Sequence, residues 1–211
     1  MTINNVVKTT AIIVTGAVVS EFVWQLYKRH RDAAKSETAV HEVLFFSEES
    51  ALCRPHVNTR IPCRKPNCAV AALQRIIAHL NSSKKTLDIC VYLMTCEDLA
   101  RAVVNAHKRN VTIRIILDAT MAENNGGRNP ILMFHKAGIS LRLKRSPYMM
   151  HHKFAIVDGS LLLTGSLNWT MQALNGNFDN MIVTNEKKIV EPFVREFSKI
   201  WLSLNANNEK N

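Results

Sequence analysis

His151-His152-Lys153-Phe154-Ala155-Ile156-Val157-Asp158-Gly159, with Gly165-Ser166-Leu167-Asn168 close behind, decides the fold and the chemistry of this 211-residue chain. Side chains on a strand alternate between faces, so residues two apart point the same way. His151 and Lys153 therefore share a face, and so do Ser166 and Asn168 on the next strand. Asp158-Gly159 separates two apolar runs, Phe154–Val157 and Leu161–Leu163, which predicts a tight hairpin. The hairpin brings the two polar pairs side by side. An imidazole can attack phosphorus, a lysine supplies a point charge for a phosphate oxygen, and serine and asparagine donate hydrogen bonds. Such a set forms a cradle for developing negative charge that needs no catalytic metal.

The pattern H-x-K-x4-D-x6-G-S-x-N resembles the HKD motif of the phospholipase D superfamily. The resemblance implies that His151 is the nucleophile, forming a phosphohistidine that water then cleaves. It implies that Lys153 and Asn168 bind phosphate oxygens, that Ser166 supports them, and that Asp158 is mainly structural. An acidic residue is expected shortly downstream, and Asp179 in Asn177-Phe178-Asp179-Asn180 takes that place, holding the ring of His151 by a hydrogen bond. The family's usual residue there is Glu, one methylene longer. His152 fills a variable position.

This family uses two such motifs, one histidine attacking and the other protonating the leaving oxygen. Of the eight histidines, at 30, 41, 56, 79, 107, 135, 151 and 152, only His151 has Lys two residues on and Asp seven residues on. A chain with half a site must borrow the other half, which predicts a homodimer with its two-fold axis between the motifs.

Strands are expected at Glu42–Phe46, Thr86–Met94, Val111–Asp118, Ser140–Lys144, Lys153–Val157, Leu161–Leu167 and Asn180–Thr184. Helices are expected at Cys68–Leu80, Cys96–Lys108 and Ile189–Leu204. Glu97 and Asp98 open the second helix and His107, Lys108 and Arg109 close it, which suits the helix dipole. The alternation gives an α/β class. The resemblance makes it a phospholipase D-like mixed central sheet flanked by helices. The expected organisation is an N-terminal anchor with basic flank over 1–35 and a catalytic domain over 36–211.

Thr9–Tyr27 is mostly apolar, with Glu21 its only charge, and at about 1.5 Å per residue reaches roughly 28 Å. Lys28, Arg29, His30, Arg31 and Lys35 follow it, whereas only Lys8 precedes it. This predicts a single transmembrane helix with the catalytic domain in the cytosol. A buried or surface helix is the alternative, which Glu21 keeps open. Short anchors with basic flanks resemble those of the outer mitochondrial membrane.

Cys53-x2-His56-x6-Cys63-x4-Cys68 places four soft ligands among Pro55, Pro62 and Pro66, fitting a tetrahedral structural zinc site. The alternative is three structural cysteines beside a surface histidine. Cys90 reads as a buried thiol.

Twenty-seven Lys and Arg against seventeen Asp and Glu leave a net charge of +10. Basic residues gather at Arg54–Lys65, Lys108–Arg114 and Arg142–Arg145. The excess points to a polyanion, either nucleic acid or an acidic membrane. One HKD unit, an anchor and a Cys/His cluster together resemble the mitochondrial phospholipase D-like group that includes Zucchini. That resemblance implies an endoribonuclease acting on single-stranded RNA in the biogenesis of PIWI-interacting RNA, alongside proteins of that pathway. The alternative is a cardiolipin hydrolase producing phosphatidic acid, and a third class is an inactive RNA- or lipid-binding scaffold. The basic, rigid flank Lys144-Arg145-Ser146-Pro147 favours a narrow groove for a single strand.

Overall fold

The Asp158-Gly159 pair forms the turn its sequence implies. Both residues have positive φ, 52° and 68°, and the Ser160 N–H closes the turn on the Val157 carbonyl at 3.0 Å. Two positive φ values in a two-residue loop match the twist of the strands they join. Those strands are β5 (Lys153–Val157) and β6 (Leu161–Gly165), antiparallel with Phe154 opposite Thr164. In the computed structural model, which describes residues 18–28, 38–65, 67–123 and 128–206, the hairpin lies in the middle of a seven-stranded mixed sheet.

The other strands are β1 (His41–Phe46), β2 (Thr86–Val91), β3 (Thr112–Asp118), β4 (Ser140–Lys144) and β7 (Asp179–Thr184), in the order β1-β7-β6-β5-β2-β3-β4. β2, β3 and β4 run parallel, and the remaining pairs are antiparallel. Parallel neighbours need helical crossovers. Here α5 (Glu97–Lys108) joins β2 to β3, and α6 (Ala119–Glu123) with α7 (Arg128–Lys136) joins β3 to β4. The remaining helices of this unit are α2 (Glu48–Ala51), α3 (Arg54–Thr59), α4 (Ala69–Asn81), α8 (Met171–Gly176) and α9 (Lys187–Ala206), α1 being residues 18–28.

The two faces of the sheet are covered unequally. On one, Ile89, Val91, Ile115, Leu117, Ala155, Leu163 and Val183 form a single core with buried residues of α4, α5, α7 and α8, such as Ile76, Val103, Phe134 and Leu174. On the other, Cys90, Ile116, Phe154, Ile156 and Leu162 pack on α9, through Val190, Phe197, Trp201 and Leu204, and on Met150. Two arginines fasten α9. Arg114 binds buried Asp88 through two bonds of 2.7 and 2.6 Å and lies 5.0 Å from the Phe197 ring centre. Arg142 sits 3.6 Å over the Trp201 ring and donates to the Trp201 carbonyl. Truncating Phe197 to Ala here should cost about 3–5 kcal/mol. α9 packs on β4, β5 and β6, and β7 and β1 beyond it leave Val43, Phe45 and Ile182 exposed at 53%, 59% and 42%.

Two strands end earlier than their apolar runs suggest. β2 stops at Val91, and Leu93 and Met94 turn to pair with Trp169 instead. β6 stops at Gly165 because the N–H groups of Ser166 and Leu167 both donate to the Asn180 carbonyl, at 3.1 and 3.3 Å. Two donors on one acceptor make a bulge, which bends the strand and re-aims its side chains. Gly165 is required there: a Cβ would lie 2.2 Å from the Asn180 carbonyl oxygen.

The chain divides into two units, residues 1–39 and residues 40–211. Within the first, α1 carries exposed Val18, Val19, Phe22, Val23 and Trp24, with Trp24 stacked on Tyr27 at 5.7 Å. Residues 9–17 of the expected span lie outside the described residues. Among the described residues no helix is long and apolar enough to cross a membrane.

Candidate active site

Strand pairing carries His151 and Lys153 to one end of the sheet. The Tyr92 N–H donates to the His152 carbonyl at 2.7 Å, so the β2–β5 ladder continues one step past β2. Ahead of it, buried Asp118 accepts the Met150 N–H (3.0 Å) and the Met121 N–H (3.2 Å), fixing the chain that enters the motif. Lys153 is buried and its Nζ donates to the His151 carbonyl at 2.8 Å, 5.2 Å from the Tyr92 ring centre. Burial pushes the Lys153 ammonium below the ordinary lysine pKa, and the nearby Asp179 carboxylate opposes the shift without cancelling it. The His151 ring meets the Tyr92 ring edge-on, with centres 4.6 Å apart, and is exposed.

The bulge delivers the second pair. Ser166 Oγ–H donates to Asp179 Oδ1 at 2.6 Å and accepts the Asn180 N–H at 3.0 Å, while the Ser166 N–H also reaches Asn180 Oδ1 at 3.1 Å. Asp179, expected on the His151 ring, thus has the serine hydroxyl as its hydrogen-bond partner. It opens β7 directly across from the bulge that presents Ser166. Asn168 leaves its Oδ1 buried without a hydrogen-bond partner among the described residues. Fully buried Trp169 holds it in place: its N–H donates to the Leu93 carbonyl, and its carbonyl accepts the Thr95 and Cys96 N–H groups at 3.0 Å.

Asp158 lies at the opposite end of β5, roughly 15 Å along the strand at about 3.3 Å per residue. Its carboxylate accepts the N–H groups of Lys84, Lys85 and Thr86 at 2.7 to 3.2 Å. Burial alone would raise that carboxyl, but the three donors hold it below the usual range. The motif's aspartate is a fastener between β5 and the strand entering β2, as its turn position suggests, and it does not join the cradle.

The Sγ atoms of Cys53, Cys63 and Cys68 lie within 4.8 Å of one another, with Cys53 and Cys68 buried and Cys53 3.3 Å from Cys63. All three are free thiols. His56, the fourth expected ligand, is exposed on α3 and outside this cluster. Zinc bound at about 2.3 Å from each sulfur sets neighbouring sulfurs roughly 3.8 Å apart, so three thiolates at this spacing fit the ion. Burial and hydrogen bonding by Cys63 push the Cys53 thiol up to about 11, whereas at Cys68 burial is outweighed by backbone donors that lower the thiol.

Tyr92, Asn180 and Asp118 shape the site without any local signal in the sequence. Each reaches the motif through a residue 14 or more positions away, so only the folded sheet reveals it. An exposed imidazole, a buried ammonium, a hydroxyl held by a carboxylate and an amide together can bind a phosphodiester and offer it a nucleophile.

Residues 76–201 match the family model described as "Cardiolipin synthase, PLD-like domain". A mitochondrial cardiolipin hydrolase of Danio rerio is 36% identical over 191 residues, spanning 88% of this chain and 82% of its own length. One from Chlamydomonas reinhardtii is 40% identical over 168 residues, spanning 77% and 73%. Among solved structures, the phospholipase D family member Nuc from Salmonella typhimurium shares the fold with a TM-score of 0.63 at 24% identity, over 78% of this chain and 95% of that one.

Proposed function

The chain belongs to the phospholipase D superfamily, among the relatives of the mitochondrial cardiolipin hydrolases, and we propose that this phosphodiesterase cleaves single-stranded RNA through a phosphohistidine on His151. His151 attacks phosphorus, a P–N bond forms, and the bond from phosphorus to the 3′ oxygen breaks. The leaving oxygen takes a proton from the partner subunit's His151. Water then cleaves the P–N bond, leaving the phosphate on the 5′ end of the downstream fragment. Lys153, Asn168 and Ser166 hold the phosphate oxygens, and Asp179 orients Ser166 and faces the Lys153 charge. The observation that carries the RNA reading is charge: +10 overall, with Lys144 and Arg145 on the flank of the motif.

The second copy is a homodimer partner. Its support is the single motif together with the uncovered β1–β7 face, where Val43, Phe45 and Ile182 lie beside Phe178, 79% exposed next to Asp179. Zinc on Cys53, Cys63 and Cys68, completed by His56 or another donor, would cross-link the segment ahead of α4 and take no part in catalysis. Residues 9–27 would anchor the protein in the outer mitochondrial membrane with the catalytic unit in the cytosol, where proteins of the PIWI-interacting RNA pathway would supply substrate. A second reading, cardiolipin hydrolysis, is favoured by the names of the relatives.

The test compares turnover of single-stranded RNA and of cardiolipin vesicles by the purified full chain, with His151→Ala as control and chelator present. Cleavage of RNA alone, lost in the variant, supports the nuclease. Turnover of cardiolipin alone replaces it with the lipase, and neither leaves a binding scaffold.

A further inference from the structure

Beside His151, on the α9 side of the sheet, an open cavity of about 390 Å³ is lined by Lys144, Tyr148, Met149, His152 and Ile200. Strand alternation explains part of how it forms: His152 shares parity with Phe154, so it faces α9, and His151 also lines the cavity, which brings the opening up to the candidate nucleophile. The His152 ring is fixed edge-on against Phe154, with centres 5.4 Å apart. Across the opening, the β4–β5 connection is pinned to β3 by the Met150 N–H on Asp118 (3.0 Å), while the Tyr148 N–H bonds Ser146 Oγ within the connection itself (3.1 Å). That pinned segment nevertheless holds Tyr148 83% and Met149 68% in solvent. Large apolar side chains displayed on a fixed loop beside a reactive group are the usual mark of a binding surface.

The charges sort in the same direction. Of the three cations in Arg142–Arg145, Arg142 is taken by Trp201 and Arg145 by Glu123. Lys144 makes no hydrogen bond or ion pair among the described residues and lines the cavity. A ring on each side with an uncommitted ammonium is the combination that seats one nucleotide of a single strand, stacking for the base and charge for the phosphate. An acyl chain would gain nothing from that ammonium.

We propose that this cavity is a nucleoside subsite, in which Tyr148 stacks on the base flanking the scissile phosphate, His152 borders it, and Lys144 binds the adjoining phosphate. The proposal rests on the RNA reading above and adds a base-contacting, specificity-determining element to it. It also gives His152, at the motif's variable position, a part in substrate choice.

The experiment measures binding by the full-length His151→Ala protein, which cannot turn over its ligand, to a short oligoadenylate RNA and to the same RNA with abasic residues. Adding Tyr148→Ala should weaken oligoadenylate binding at least about fivefold and up to about a hundredfold, the effect of one lost stacking contact. It should leave the abasic RNA unchanged, and Tyr148→Phe should restore binding. Lys144→Ala should weaken both RNAs and reduce the salt slope by about one. Tyr148 is exposed, so its loss does not threaten folding. Equal affinity of the Tyr148→Ala and parent proteins for oligoadenylate would overturn the subsite while leaving RNA cleavage by His151 intact. If the native chain cleaves cardiolipin vesicles but not RNA, and Tyr148→Ala slows it, the cavity seats an acyl chain and both readings fall.

Discussion

The two ends of strand β5 carry residues of one motif in opposite conditions. At the Asp158 end every carboxylate interaction is internal, three backbone N–H groups on one side chain. At the His151 end the polar groups are only partly engaged: the His151 ring is exposed, and among the described residues Lys153 donates one of its three N–H bonds and Asn168 Oδ1 is buried without a partner. Buried polar groups are normally satisfied, so incomplete pairing at one end marks where a ligand completes the network. A single string of sequence thus contains both a fastener and the candidate active site, and partner count tells them apart.

Substitutions at the two ends should separate accordingly. The largest effect is expected from His151→Ala, which should lower turnover at least about a thousandfold while thermal stability stays within experimental scatter; normal turnover would remove the nucleophile assignment. Lys153→Met should follow, at about 10²–10³ in kcat. Because burial holds the Lys153 pKa below the ordinary value, the charged form is lost as pH rises through that lowered pKa, so activity should fall on the alkaline side sooner than an ordinary lysine would give. A pH–rate profile that is flat up to the ordinary lysine range would contradict this.

The opposite end should respond in stability. Asp158→Ala removes a charged acceptor of three N–H groups and should cost about 2 kcal/mol, or roughly 4–8 °C in Tm, with kcat of the folded fraction retained. Its carboxyl is held below its unfolded value, so its contribution is complete above that unfolded value. It is lost as pH falls through the folded one, and an acid-unfolding curve for Asp158→Asn should be correspondingly less steep. The smallest effect is expected for Tyr92→Phe, which keeps the ring against His151 and should change kcat by less than about threefold, whereas Tyr92→Ala should lower it further.

The central elements were legible because their local signals agree. Ser140–Lys144 and Lys153–Val157 are strands with the bounds expected, set by turn residues on either side. The helices α4 and α5 begin one residue later than expected because Cys68 and Cys96 are their N-caps. The short helices α2, α3, α6, α7 and α8 were not expected; α7 holds Pro130 in its first turn and buries only Pro130 and Phe134, too little for a periodic pattern. In the candidate site, spacing picks out His151, Lys153, Ser166 and Asn168, and the family resemblance supplies their expected roles. The Ser166 partner of Asp179, the ring of Tyr92 and the position of His56 depend on a bulge, a strand end and a short helix, none of which spacing encodes.

The way β1 enters the sheet has a mechanical consequence. It is an edge strand zipped to β7, with His41 opposite Thr184 and Phe46 opposite Asp179. At its first residues the Val40 N–H is held by Asn185 Oδ1 at 2.8 Å, and His41 Nδ1 lies 2.9 Å from Thr184 Oγ1. Tension on the chain ahead of residue 40 therefore loads the His41–Thr184 end first. Four further residue pairs must part before the pull reaches Asp179, so the strand shields the candidate active site from load on the chain ahead of it.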